Sequence, residues 1–74
     1  MAYYTTVMVV NSDGRPVKAE VHCGGTYRGF TDEVTGELTF TMSTKDIYSV
    51  SAKRMFDSAS GQVRGGDSIL LRLH

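Results

Sequence analysis

Apolar and polar residues alternate with period two along most of this chain, in runs of five to eight residues broken by Gly, Asp, Asn and Pro. That pattern leaves little choice of secondary structure. It is clearest at Thr31-Asp32-Glu33-Val34-Thr35-Gly36-Glu37-Leu38-Thr39-Phe40-Thr41-Met42, which reads as a strand end, a tight polar turn and a second strand. Leu38, Phe40 and Met42 share one side, and Glu37, Thr39 and Thr41 the other, as a strand with one buried and one wet face requires. Gly36 stands where a residue without Cβ is free to take a positive φ. No stretch of helical length keeps apolar residues at i, i+3, i+4 and i+7 better than it keeps alternation.

The rest of the chain extends the pattern. Tyr3 to Val10 is rich in Tyr, Thr and Val, which suit a pleated surface, with both faces too apolar to tell which is inward. Asn11-Ser12-Asp13-Gly14-Arg15-Pro16 is the clearest turn. Val17 to Cys23 alternates with Val17, Ala19, Val21 and Cys23 inward, and Gly24-Gly25 is a hairpin signal. Thr26 to Thr31 follows. Its Tyr27 and Phe30 fall on opposite faces of a regular strand, unless Gly29 marks a bulge that brings them together. After a polar connection at Ser43 to Asp46, Ile47 to Arg54 places Tyr48, Val50 and Ala52 inward, and Met55-Phe56 leads on into the segment that follows. Asp57 to Gly61 is a weakly patterned loop or short edge strand, Gln62 to Arg64 a brief pairing, and Arg64 to Asp67 the last turn. Ser68 to His74 closes the chain with Ile69, Leu71 and Leu73 inward. The expected core is Val17, Ala19, Val21, Leu38, Phe40, Met42, Tyr48, Val50, Ala52, Ile69, Leu71 and Leu73. Short strands at spacings of roughly ten residues predict an all-β fold: a small antiparallel Greek-key β-sandwich of about seven strands spanning residues 1–74 as one domain.

At 74 residues the core is modest, with stability on the order of 5 kcal/mol at most. Cys23 is the only cysteine, so no disulfide forms within one chain. Eight basic and eight acidic residues give zero formal net charge. That balance gives no footprint for nucleic acid or an anionic membrane and weakens the self-repulsion that opposes association. No segment approaches the roughly 18 to 20 apolar residues of a membrane span. Met1-Ala2-Tyr3-Tyr4-Thr5-Thr6 lacks the basic start of a secretory leader. The expectation is a cytoplasmic protein or a domain cut from an exported one.

The order of the punctuation resembles a known family. Val7-Met8-Val9 is followed by Asp13-Gly14-Arg15-Pro16-Val17, Ala19-x-Val21, Thr31-Asp32, Gly36-Glu37-Leu38-Thr39-Phe40 and Tyr48-x-Val50-x-Ala52, then a closing apolar strand. The series resembles the carboxypeptidase regulatory-like domain, a transthyretin-like (prealbumin-like) β-sandwich, over almost the whole chain. Bacterial Ig-like domains of the invasin type share much of this punctuation and are the second resemblance. The Asp32-Glu33-Val34-Thr35-Gly36 turn is longer than the family's usual Asp-x-x-Gly. The resemblance implies a non-catalytic accessory module attached to a larger protein, with no catalytic residues to carry over and no cofactor.

Candidate chemistry is sparse. His22 and Cys23 are adjacent in an expected strand, so their side chains point to opposite faces and make no dyad. One Cys and two His are too few for an ordinary zinc site. Asp13, Asp32, Glu33 and Glu37 are oxygen donors near turns, suited by type to calcium, without the spacing of an EF-hand loop. Tyr27, Arg28 and Phe30 are candidates for a stacking platform for a sugar or base, although core packing of at least one aromatic is the plainer expectation. Met55 and Phe56 exceed what the expected core accommodates and are the candidate partner contact. These residues favour a non-catalytic module that contacts a protein or adjoining domain, by self-association included. The alternative is a small stand-alone carbohydrate- or peptide-binding sandwich.

Overall fold

A computed structural model describes residues 2–74; Met1, counted above in the N-terminal stretch, lies outside the described residues. Seven strands follow one another: β1 (Tyr3–Val10), β2 (Glu20–Cys23), β3 (Thr26–Phe30), β4 (Glu37–Met42), β5 (Ile47–Arg54), β6 (Asp57–Arg64) and β7 (Ser68–Arg72). They form two sheets, ordered β4-β1-β7 and β3-β2-β5-β6. The all-β sandwich is therefore present. Every pairing is antiparallel except β1 with β7, which run parallel from Thr6↔Ser68 to Val10↔Arg72. Alternation reports which residues share a face. It carries no information on strand direction, so this departure from a wholly antiparallel sandwich had no local signature.

The core lies between the sheets. Val17, Ala19, Val21, Met42, Val50, Ala52, Leu71 and Leu73 are buried as expected, and Cys23 with them. Leu38, Phe40, Tyr48 and Ile69 pack against this cluster but stay partly exposed, since each sits toward a margin of the sandwich. The undecided face of β1 resolves in favour of Thr5, Val7 and Val9, which are fully buried, and Val63 of β6 joins the core. Val10 is buried as well, closed off by its bridge to Pro16.

Two spans differ from expectation. Val17 and Ala19 are buried but lie outside β2. In place of a ladder, the buried hydroxyl of Thr31 accepts the Ala19 N–H (2.8 Å) and donates to the Val17 carbonyl (2.7 Å), and the Thr31 N–H donates to Ala19 O (2.9 Å). One side chain thus satisfies backbone groups that burial would otherwise leave unpaired. The second span is Asp57 to Arg64, which is a full strand paired along all of β5 from Ile47↔Arg64 to Arg54↔Asp57. Its weak pattern has a steric cause. Gly61 lies beneath β7, where a Cβ would come within 2.9 Å of Ile69 Cδ1. A larger residue there would require the end of the Ile69 side chain to move aside, and with small residues at the inward positions Ala59 and Gly61 the alternation signal is weak.

The turn before β4 has the expected form. Asp32 Oδ1 accepts the N–H groups of Val34 (2.7 Å) and Thr35 (2.9 Å), and the Gly36 N–H donates to Asp32 O (2.7 Å). Gly36 has φ of 73°, and a Cβ there would lie 2.7 Å from the Val9 carbonyl oxygen and 2.9 Å from Pro16 Cβ. Only glycine meets both conditions.

Candidate functional site

Met55 and Phe56 stand between β5 and β6. They are the two residues of a tight turn closed by Arg54↔Asp57. Phe56 is 102% exposed and Met55 80%. Met55 has φ of 54° and is the one non-glycine residue with positive φ among the described residues. Two-residue hairpin turns favour positive φ because it matches the twist of the strands, and they normally place Gly, Asn or Asp there. The Gly24-Gly25 turn between β2 and β3 follows that rule, with φ of 62° and 80°. The β5–β6 turn sets an unbranched apolar side chain in the same region, at a steric cost of roughly 1 kcal/mol.

The loops at this end of the sandwich meet around a shallow depression lined by Pro16, Val17, Lys18, Glu33 and Arg54. Arg54 adjoins Met55 on one side, and Glu33 adjoins Val34, itself 81% exposed, on the other. The depression itself is of mixed charge, with Lys18 and Arg54 beside Glu33.

An aromatic strip runs along the outer face of β2 and β3. The ladder shifts between Val21 and His22, so that Gly29 opposes Val21 and Tyr27 opposes His22. This bulge leaves Arg28 as the extra residue and puts Tyr27 and Phe30 on one face. Both are 51% exposed, so neither aromatic is core, contrary to the plainer expectation. Their ring centroids are 6.1 Å apart in an edge-on arrangement, His22 lies 5.5 Å from Tyr27, and Lys18 Nζ sits 5.2 Å over Phe30. Glu20 Oε1 lies 3.5 Å from His22 Nε2. Arg28 is not in this strip. Its guanidinium lies 5.3 Å from the Phe40 ring centre, on the inner side, and Nη2 reaches Met42 Sδ at 3.4 Å. His22 and Lys18 join the strip through the pairing of β2 with β3 and the loop before it, which no local reading of Tyr27 to Phe30 contains.

The remaining candidates are placed apart. Cys23 is fully buried and His22 stands on the opposite face of β2. Burial pushes the Cys23 thiol up from its ordinary range, and the nearby Arg28 charge offsets only part of that, which keeps the unreactive thiol form. Asp13 lies in the β1–β2 turn, where Asn11 Oδ1 does the structural work by accepting the N–H groups of Asp13 (2.9 Å) and Arg15 (3.0 Å). The Val34 and Thr35 N–H groups hold the Asp32 carboxyl below the usual carboxylate range, Thr35's being the larger effect. Asp13, Asp32, Glu33 and Glu37 do not converge, and no group of three or more His, Cys, Asp or Glu side chains is placed to share a metal ion among the described residues. No helix among the described residues is long and apolar enough to cross a membrane. No family model, curated protein or solved structure matches the chain, so its fold and surface are what bear on its role.

Proposed function

We propose that this chain is a non-catalytic accessory module that contacts another protein or an adjoining domain through the Met55–Phe56 tip. The reading accords with the carboxypeptidase regulatory-like resemblance of its punctuation. The observation that carries it is the tip itself: a fully exposed phenylalanine on a turn whose first residue holds a positive φ without being glycine. A turn optimised for stability alone would place glycine there and keep Phe out of water. Backbone strain of this kind recurs at binding sites, where contact and not folding selects the residue.

Sedimentation of the parent and of Phe56→Asp across a wide concentration range tests the self-association form. Association in the parent that is lost in a folded Phe56→Asp supports it; a parent that stays monomeric removes it. For an adjoining domain, the test is the intact native polypeptide, in which Phe56 should become protected from solvent.

The aromatic strip favours the alternative reading, a small carbohydrate-binding sandwich. Tyr27 and Phe30 present exposed rings beside polar His22 and Glu20, a combination suited to sugar stacking with hydrogen bonding at its margin. Shifts of the Tyr27 and Phe30 ring signals on titration with soluble oligosaccharides would support it, and unshifted rings would count against it.

A further inference from the structure

We infer that the flank of the sandwich between β3 and β4 is a docking edge for an extended peptide segment bearing an acidic side chain. This site is separate from the Met55–Phe56 tip and from the aromatic strip. Two independent observations converge on it.

The first is the backbone of β4. Val9 N–H donates to Gly36 O (2.8 Å), and Asp32 N–H donates to Glu37 O (2.9 Å). Backbone groups alternate sides along a strand, so Leu38, Phe40 and Met42 turn theirs to β1, while Thr39 and Thr41 turn theirs away. Among the described residues, the N–H and C=O groups of Thr39 and Thr41 pair with nothing. Edges are usually blunted by Pro, Lys, bulges or a covering segment. Thr39 to Met42 has no Pro, no charge and no register shift. The other long edge, β6, is covered at one end, where Ser58 and His74 exchange backbone hydrogen bonds at 3.3 Å.

The second is Arg28. It lies at the mouth of this flank, lining a cleft with Ala2, Thr41, Met42 and Ser43. Its Nε is buried with no hydrogen-bond partner, and no carboxylate lies within ion-pair distance of it among the described residues. Its only contacts of note are the Phe40 ring and the Met42 sulfur, neither of which accepts a guanidinium N–H well. A strand added at Thr39 and Thr41 would alternate its side chains, one set outward and one set into the mouth of the sandwich. A Glu or Asp in the inward set would meet Arg28 and accept from Nε and Nη together, the paired geometry guanidinium favours. Added main-chain bonds supply affinity, and the acid supplies selectivity.

The test uses the intact chain, labelled with 15N, and a synthetic blocked heptapeptide of alternating Thr and Val with a central Glu, against its Gln counterpart. The expected result is a shift and slowed hydrogen exchange of the Thr39 and Thr41 amides, a shift of Arg28 Nε–H, and binding of the Glu peptide at least about tenfold tighter than the Gln peptide. Arg28→Gln should remove that preference. Thr41→Pro should abolish binding of both peptides, because an outward N–H is dispensable to the fold but required for pairing. Should either variant unfold, the Gln peptide and a backbone N-methylated Glu peptide make the same two comparisons on the unaltered protein. Equal binding of the Glu and Gln peptides, or shifts confined to Met55–Phe56 or to Tyr27 and Phe30, would overturn the inference, as would unshifted Thr39 and Thr41 amides at the highest soluble peptide concentration.

Discussion

The two flanks of the sandwich solve the same problem in different ways. Where β6 meets β7 the sheets close: Gly61 has no side chain, Ile69 and Leu71 come down over it, and Ser58 pairs with His74. Where β3 meets β4 the flank carries a long cation. Arg28 spans from β3 to Phe40 and Met42, and the β4 edge stays unpaired. A small residue at a crossing lets two sheets seal through apolar contact, at the cost of no polar group. A charged one covers apolar surface with its stem but brings donors that need partners. The closed flank is thus built for stability, and the open one retains unsatisfied polar groups.

The largest expected effect is at the closed flank. Leu71→Ala should cost about 2 to 5 kcal/mol, because Leu71 is buried and its loss leaves a cavity over Gly61. Phe40→Ala, at the open flank, should cost about 2 kcal/mol, less than the roughly 3 to 5 kcal/mol of a fully buried phenylalanine, because Phe40 is only partly buried. Denaturant unfolding of both variants measures the contrast; equal losses would mean that the flanks are packed alike. Next in size is Thr31→Ala, which strands the Ala19 N–H and the Val17 carbonyl and should cost about 1 to 3 kcal/mol. A loss within experimental error would show that water reaches those groups and that the open flank is wetter than drawn.

Met55→Gly provides a reference outside both flanks. Relief of the positive φ should raise stability by about 1 kcal/mol, read as a higher denaturation midpoint at unchanged slope. Unchanged or lower stability would remove the strain on which the tip's proposed role draws. The smallest effect concerns pH. Asp32, in the turn that joins β3 to β4, has its folded-state pKa lowered by the Thr35 and Val34 N–H groups. Its contribution is therefore complete above the unfolded-state pKa of an ordinary aspartate and is lost as pH falls through the lower folded value. Asp32→Asn should flatten the acid limb of the stability profile; an unchanged limb would show that the turn does not depend on the charge. Asp32 is fully solvent-exposed, so the change should be slight.

Much of the architecture was legible locally, and the exceptions share a cause. Period-two alternation settled the secondary structure of β4 and β5, and the inward faces of β2, β4, β5 and β7. Asp32 and Gly36 announced their turn through side-chain acceptors and missing Cβ. The candidate surface was legible only in part. Met55 and Phe56 stood out because the expected core had no place for them, and Gly29 marked the bulge that turns Tyr27 and Phe30 to one face.

What only the tertiary structure decided is whatever depends on a residue distant in the chain. The inward face of β1 was undetermined because both faces are apolar; β4 and β7 chose it. The strand nature of Asp57 to Arg64 was hidden because β7 packs on Gly61, and a position crowded by another strand selects for small size instead of hydrophobicity. The parallel pairing of β1 with β7, the closure of one flank and the position of Arg28 in the other arise the same way. Alternation is a property of one strand, produced by the geometry of its own backbone. Direction, neighbour and edge are properties of pairs, and this chain carries no local residue pattern that encodes them.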